Sequence, residues 1–155
     1  MKKPAPKTPS IVNRRARFDY ELGEDVVTGL VLTGREVRAA RDGHVQLRGA
    51  YVQVKNDELW LQNASFSLKI NDKGISGNRT VDLEPRKLLA KRRQIDQLLE
   101  GKKQGMTIVP TKLLTSGRYV KLVIALGKGK KNYDKRAALK KRDTDRDVSR
   151  EIKSR

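Results

Sequence analysis

Three lysines in the run Gly127-Lys128-Gly129-Lys130-Lys131 sit among glycines that release the backbone, which suits mobile contacts with phosphate groups. The run has neither the Gly-x-x-x-x-Gly-Lys-Ser/Thr spacing nor the strand-loop-helix setting of a nucleotide-binding phosphate loop. It reads instead as a charged hinge. Phe18, Tyr20, Tyr51, Trp60, Phe66 and Tyr119 could stack on unpaired bases, with core packing the competing role for each.

Catalysis has little to draw on. The chain contains no Cys, and His44, its one His, follows Gly43 in a predicted turn with no ligand-spaced partner. Thiol nucleophiles, thiolate zinc sites, disulfides and most general-base arrangements are thereby removed. No catalytic residue, metal or cofactor is expected. Glu36 and Asp42 are carboxylates near Lys or Arg, but without a paired motif they read as caps, turns or ion pairs.

Charge points toward binding. Lys and Arg number 36 against 18 Asp and Glu, a formal net charge of +18 in 155 residues. Residues 128–155 carry 12 bases and 5 acids, and residues 1–17 carry six bases and no acid, so the two ends hold +13 of that total. Solubility does not require so large an excess of one sign, whereas basic extensions beside a β-rich body suit RNA. A membrane surface would need a long apolar segment or a basic helix with bulky apolar residues, and neither is evident. MKKPAPKTPS lacks the apolar stretch of a secretory signal, so a cytoplasmic location with no membrane partner is expected.

Patterning supplies the scaffold. Residues 1–12 read as a flexible basic leader, 13–127 as one RNA-binding domain, and 128–155 as a basic tail too poor in apolar residues to fold alone, disordered when free and helical on an anionic surface. The fold class is mainly β with flanking helices (α+β), a small barrel or sandwich. VVTGLVL, Val26 to Leu32, predicts a central strand buried on both sides or curling at Gly29. Thr33 to Gly43 predicts a two-turn helix stopped by Gly43. Tyr51–Lys55 and Glu58–Leu61 predict a hairpin across Asn56-Asp57, with Trp60 facing core or groove. Leu88, Leu89, Ile95, Leu98 and Leu99 predict the longest helix, from Pro85 to Gly101 or Gly105. Thr107–Leu114 and Tyr119–Leu126 predict a second hairpin, and in a helical tail Asp143 and Asp147 could pair with Arg146 and Arg150.

Taken in order, NRRARFDY, GLVLTGREV with Arg41 and Gly43 downstream, PRKLL, and GKGKKNYDKR resemble the bacterial SsrA-binding protein family, small protein B. The resemblance runs from about Asn13 to Arg136, and the ordered set is far more specific than any one motif. It implies an antiparallel oligonucleotide-binding-type β-barrel with flanking helices, and binding without catalysis or cofactor. The implied partners are the tRNA-like domain of transfer-messenger RNA, the ribosomal small subunit and its RNA, and elongation factor Tu with GTP in a delivery complex. The tail is implied to enter the empty decoding site and messenger channel and become helical there.

By the same resemblance the RNA-binding residues are Asn13, Arg14, Arg15, Glu36, Leu89 and Lys121, with Lys128, Lys130 and Lys131 assisting. Gly129, Asp134, Lys135 and Arg136 are the ribosome-directed positions. Two departures stand out: Val27 lies where members commonly carry Glu, with Asp25 as a nearby acid, and Glu84 lies where a base is usual. A generic basic RNA-binding module and an enzyme acting on RNA are the competing readings. The ordered motifs and the Asp134-Lys135-Arg136 segment argue against the first, and the missing catalytic pair against the second.

Overall fold

The computed structural model describes residues 10–70 and 78–154. Its elements in chain order are β1 (Ser10–Val12), α1 (Arg14–Asp19), β2 (Tyr20–Leu30), α2 (Gly34–Arg41), β3 (Val45–Gln46), β4 (Tyr51–Lys55), β5 (Glu58–Gln62), β6 (Ser65–Lys69), β7 (Arg79–Asp82), β8 (Arg86–Leu89), α3 (Arg92–Lys103), β9 (Thr107–Leu114), β10 (Lys121–Gly129) and α4 (Asn132–Lys153).

Local chemistry accounts for the main boundaries. Asn56 and Asp57 both adopt positive φ, 51° and 60°, the geometry a two-residue hairpin loop needs to join β4 to β5. Thr33 and Glu36 form a reciprocal capping box at the start of α2, and Gly43, at φ 80°, supplies the left-handed stop just after it. Alternation on β5 buries Leu59 and Leu61 and leaves Trp60 half-buried on the opposite face, away from the core side.

The main sheet runs in the order β1-β9-β10-β2-β8-β5-β4, antiparallel throughout. β4 also pairs with β9 through Val52 and Ile108, so the sheet curls back on itself. β3, β6 and β7 form a second, three-stranded sheet. Phe66, Leu59, Leu61, Ile108, Leu113, Leu122 and Ile124 fill the core, with Leu98 of α3 packed in. Gly101 lets α3 lie against β10, since a Cβ there would collide with Leu126.

Several expectations need correction. Pro85 does not open a helix: Arg86 to Leu89 is strand β8, with Arg86 and Leu88 buried and Leu89 exposed, a period of two that the leucine spacing had masked. The helix starts at Arg92, behind a Gln94 side chain that accepts from the Lys91 N–H, and it stops at Gly105, the second of the two expected stops. Val26–Leu32 is not buried on both sides, because Val27 and Val31 are about half exposed. Ser10–Val12, read as the end of a leader, pairs with Lys112–Leu114, while residues 1–9 lie outside the described residues.

The expected hinge also differs. Gly127, Lys128 and Gly129 continue β10 and pair with Leu22, Glu21 and Tyr20, so the backbone there is held in a ladder. The tail is the longest helix, 22 residues, with none buried. Asp134 in its first turn and Arg150 and Lys153 in its last complement the helix dipole. Ala137, Ala138 and Leu139 add propensity. Of the two expected charge pairs, Asp147 and Arg150 meet, at 3.9 Å.

Candidate nucleic-acid interface

Short helix α1 hangs on Asn13. Its side-chain oxygen accepts from the Ala16 N–H, and its amide donates to the carbonyls of Leu47, at 3.1 Å, and Pro110, at 2.9 Å. Asn13 is buried, so it is a clip that ties α1 to the sheet. The clip holds Arg14, Arg15 and Arg17 out in solvent.

Glu36 is committed in the same way. One of its oxygens accepts from the Thr33 N–H at 2.7 Å, and the other accepts from Arg86 Nε at 2.9 Å. Arg86 is buried, donates also to the Glu84 carbonyl, lies 3.5 Å from Asp82, and stacks its guanidinium 3.8 Å from the Phe66 ring centroid. Phe66 is therefore core and unavailable to a base. Glu84 presents a backbone carbonyl inward while its side chain is exposed.

Leu89 and Lys121 come together. Lys121 opposes Gly29 on β2, and Gly29 opposes Leu89 on β8, so the three form a row across adjacent strands on one face. Leu89 is 54% exposed, and Val27 and Val31, two residues to either side of Gly29, share that face. The result is an exposed apolar strip with a lysine at its edge, the kind of patch that marks a binding surface. Gly29 keeps the strip flat, since a Cβ there would press on Leu89 at 3.2 Å.

The base of the tail meets α1. The Lys130 N–H donates to the Asp19 carbonyl, Lys130 Nζ donates to the Arg17 carbonyl at 3.0 Å, and Lys135 lies 3.4 Å from an Asp19 carboxylate oxygen whose neighbour accepts from Arg15. Lys128, Gly129, Lys131, Asp134 and Arg136 are exposed. Arg48 and Arg142, which sequence reading did not single out, line a groove with Phe18, Arg48 beside Arg14 and Arg15 on the body and Arg142 with Arg146 on the tail. The i, i+4 spacing of Arg142 and Arg146 was a visible signal; nothing marked Arg48. Of the aromatic candidates, Tyr119 and Tyr51 are exposed, and His44 is exposed, its backbone N–H donating to the Ala39 carbonyl.

Among the described residues, no three His, Cys, Asp or Glu side chains converge as metal ligands would, and no helix is long and apolar enough to cross a membrane. A curled sheet with cations held out on α1 and α4, beside an apolar strip edged by Lys121, defines the class of small polyanion-binding proteins. The family model described as SmpB protein matches residues 10–154. An SsrA-binding protein of Streptococcus mutans is 42% identical over 142 residues, covering 91% of this chain and 90% of the relative. One of Chloroflexus aggregans is 41% identical over 145 residues, covering 92% and 90%. A solved structure described as "tmRNA-SmpB: a journey to the center of the bacterial ribosome" is similar at a TM-score of 0.62 and 35% identity, over 80% of this chain and 86% of that one. The chain belongs to the SmpB protein family.

Proposed function

We propose that this protein binds the tRNA-like domain of transfer-messenger RNA and delivers it to stalled ribosomes for trans-translation. The observation that carries the reading is the family match over residues 10–154, which takes in the exposed tail helix as well as the body. The protein acts as a binder and not as an enzyme, and it works in the cytoplasm. Elongation factor Tu with GTP joins the delivery complex, the nucleotide belonging to the factor. The return pairing of β4 on β9 supports an oligonucleotide-binding type of barrel.

In this reading the strip of Leu89, Gly29 and Lys121 meets RNA directly, while Asn13 and Glu36 act through the α1 and α2 geometry they hold. The exposed tail residues Asp134 and Arg136, with Lys135 and Gly129 at its base, serve the empty decoding site and messenger channel. Nothing in α4 is buried, so its polar surface is free for ribosomal RNA.

A gel-shift titration at fixed near-physiological salt tests this, with the tRNA-like domain as ligand and elongator tRNA and a structured RNA of equal length as competitors. Clear preference for the tRNA-like domain is expected. Equal binding to all three would replace this function with that of a generic RNA-binding module, and cleavage or modification of the RNA would end the non-enzyme reading.

A further inference from the structure

We propose that the groove between α1 and α4 is a phosphodiester clasp, with one wall on the body and the other on the tail, so that an RNA strand seated in it fixes the tail helix against the body. This rests on the RNA-binding reading above.

The groove measures about 830 Å³, in the upper part of the range of roughly 300–1,000 Å³ found for ligand clefts. Arg14, Arg15 and Arg48 line the body side, Arg142 and Arg146 the tail side, and among the described residues no acidic one lines it. Phe18 lies between them, with the Arg15 guanidinium 5.0 Å and the Arg142 guanidinium 5.9 Å from its ring centroid. Asp19, the nearby acid, is already engaged by Arg15 and Lys135.

Guanidiniums facing one another across open space repel, and they do so less when a polyanion lies between them. Arginine forks match phosphate oxygens in pairs, and the i, i+4 spacing puts both tail arginines on one helix face. Without such a ligand α4 is held chiefly at its base, by Lys130 and Lys135 on α1, and buries no residue. Seated phosphates change the sign of the interaction between the walls. RNA binding and tail placement are then coupled.

The chain has no Cys, so paired spin labels can be introduced at Gln97→Cys on α3 and Glu151→Cys on α4, both exposed and outside the groove. Label-to-label distances are measured by double electron–electron resonance, with and without the tRNA-like RNA, while a gel shift on the same samples reports binding. The distribution is expected to narrow on binding in the native background and to stay broad in R142A/R146A. That pair should lower the salt slope of log K by about 1.4–1.8, at roughly 0.7–0.9 per lost phosphate contact. R48A, on the opposite wall, should broaden the distribution as the tail pair does. An unchanged distribution on RNA binding, or narrowing that survives R142A/R146A, overturns the clasp. Should the tRNA-like RNA not bind at all, the function proposed above falls, and heparin becomes the probe. Narrowing with heparin would keep the groove as a polyanion clasp, and its absence would end the proposal.

Discussion

Arg86 in the body and Arg150 in the tail carry the same group in opposite circumstances. The Arg86 side chain is 3% exposed, lies against Glu36 and Asp82, and covers the face of Phe66. The Arg150 side chain is 81% exposed and lies 3.9 Å from Asp147. The charge of Arg86 is used up inside the fold, and that of Arg150 is left for a partner. The residues assigned to RNA from the family resemblance divide along that line. Asn13 and Glu36 fall with Arg86; Lys121, Lys128 and Lys131 fall with Arg150.

Removing one member of the buried pair should break the body hardest. Glu36→Ala leaves Arg86 without its nearest anion and α2 without half its capping box, and is expected to cost about 3–5 kcal/mol in urea unfolding. Replacing both partners, as in E36L/R86M, should cost less than E36A alone, because no charge is stranded. A loss of RNA affinity in E36A with the stability of the native protein would place Glu36 with the free charges and erase the distinction.

Asn13→Ala should come next. It removes a cap and leaves the Leu47 and Pro110 carbonyls without their donor, for an expected cost of about 2 kcal/mol. RNA affinity should fall as well, since α1 loses its tie to the sheet and Arg14 and Arg15 lose their positions. If Asn13 instead touches RNA, N13A should bind weakly while the thermal midpoint stays where it was.

The lysines at the tail root sharpen the comparison within a single run. Lys128 and Lys131 are exposed, whereas the Lys130 ammonium is bound to the Arg17 carbonyl. K128Q and K131Q should each lower the salt slope of RNA or ribosome association by about 0.7–0.9, and K130Q by clearly less. Equal changes at all three would show that RNA displaces the Arg17 contact.

The hairpins, the opening of α2 at Thr33 and the stop at Gly43 were legible because each rests on neighbouring residues. Asn56-Asp57 and Thr33 with Glu36 carry their geometry in their own spacing. β8 was not legible, because Leu88 and Leu89 fit a helical period as well as a strand whose partners, β2 and β5, are remote in sequence. Burial of Asn13 and Glu36 was hidden for the same reason, as their partners Pro110 and Arg86 lie 97 and 50 residues away. The row of Lys121, Gly29 and Leu89 exists only once three strands are in register. The charge of the tail, by contrast, was plain from composition, and its helix was expected only on an anionic surface, since no buried face announces it.

Deleting everything after Arg136 should have the smallest effect on the body and the largest on its use. No residue of α4 is buried, and Lys135 and Arg136, with the Lys130 and Lys135 contacts to α1, remain in the shortened chain. The unfolding free energy should therefore stay within about 0.5 kcal/mol of the full-length value. Binding to free transfer-messenger RNA should weaken about as much as in R142A/R146A, since those two arginines are the cationic groups of the groove lining that the truncation removes, with Leu139 the one other removed lining residue. Peptide tagging on stalled ribosomes should be abolished, because the exposed surface that serves the decoding site is gone. If the truncated protein unfolds readily, α4 contributes to the body after all. If it tags normally, the free charges of α4 have no ribosomal partner, and the division between the two regions loses its functional meaning.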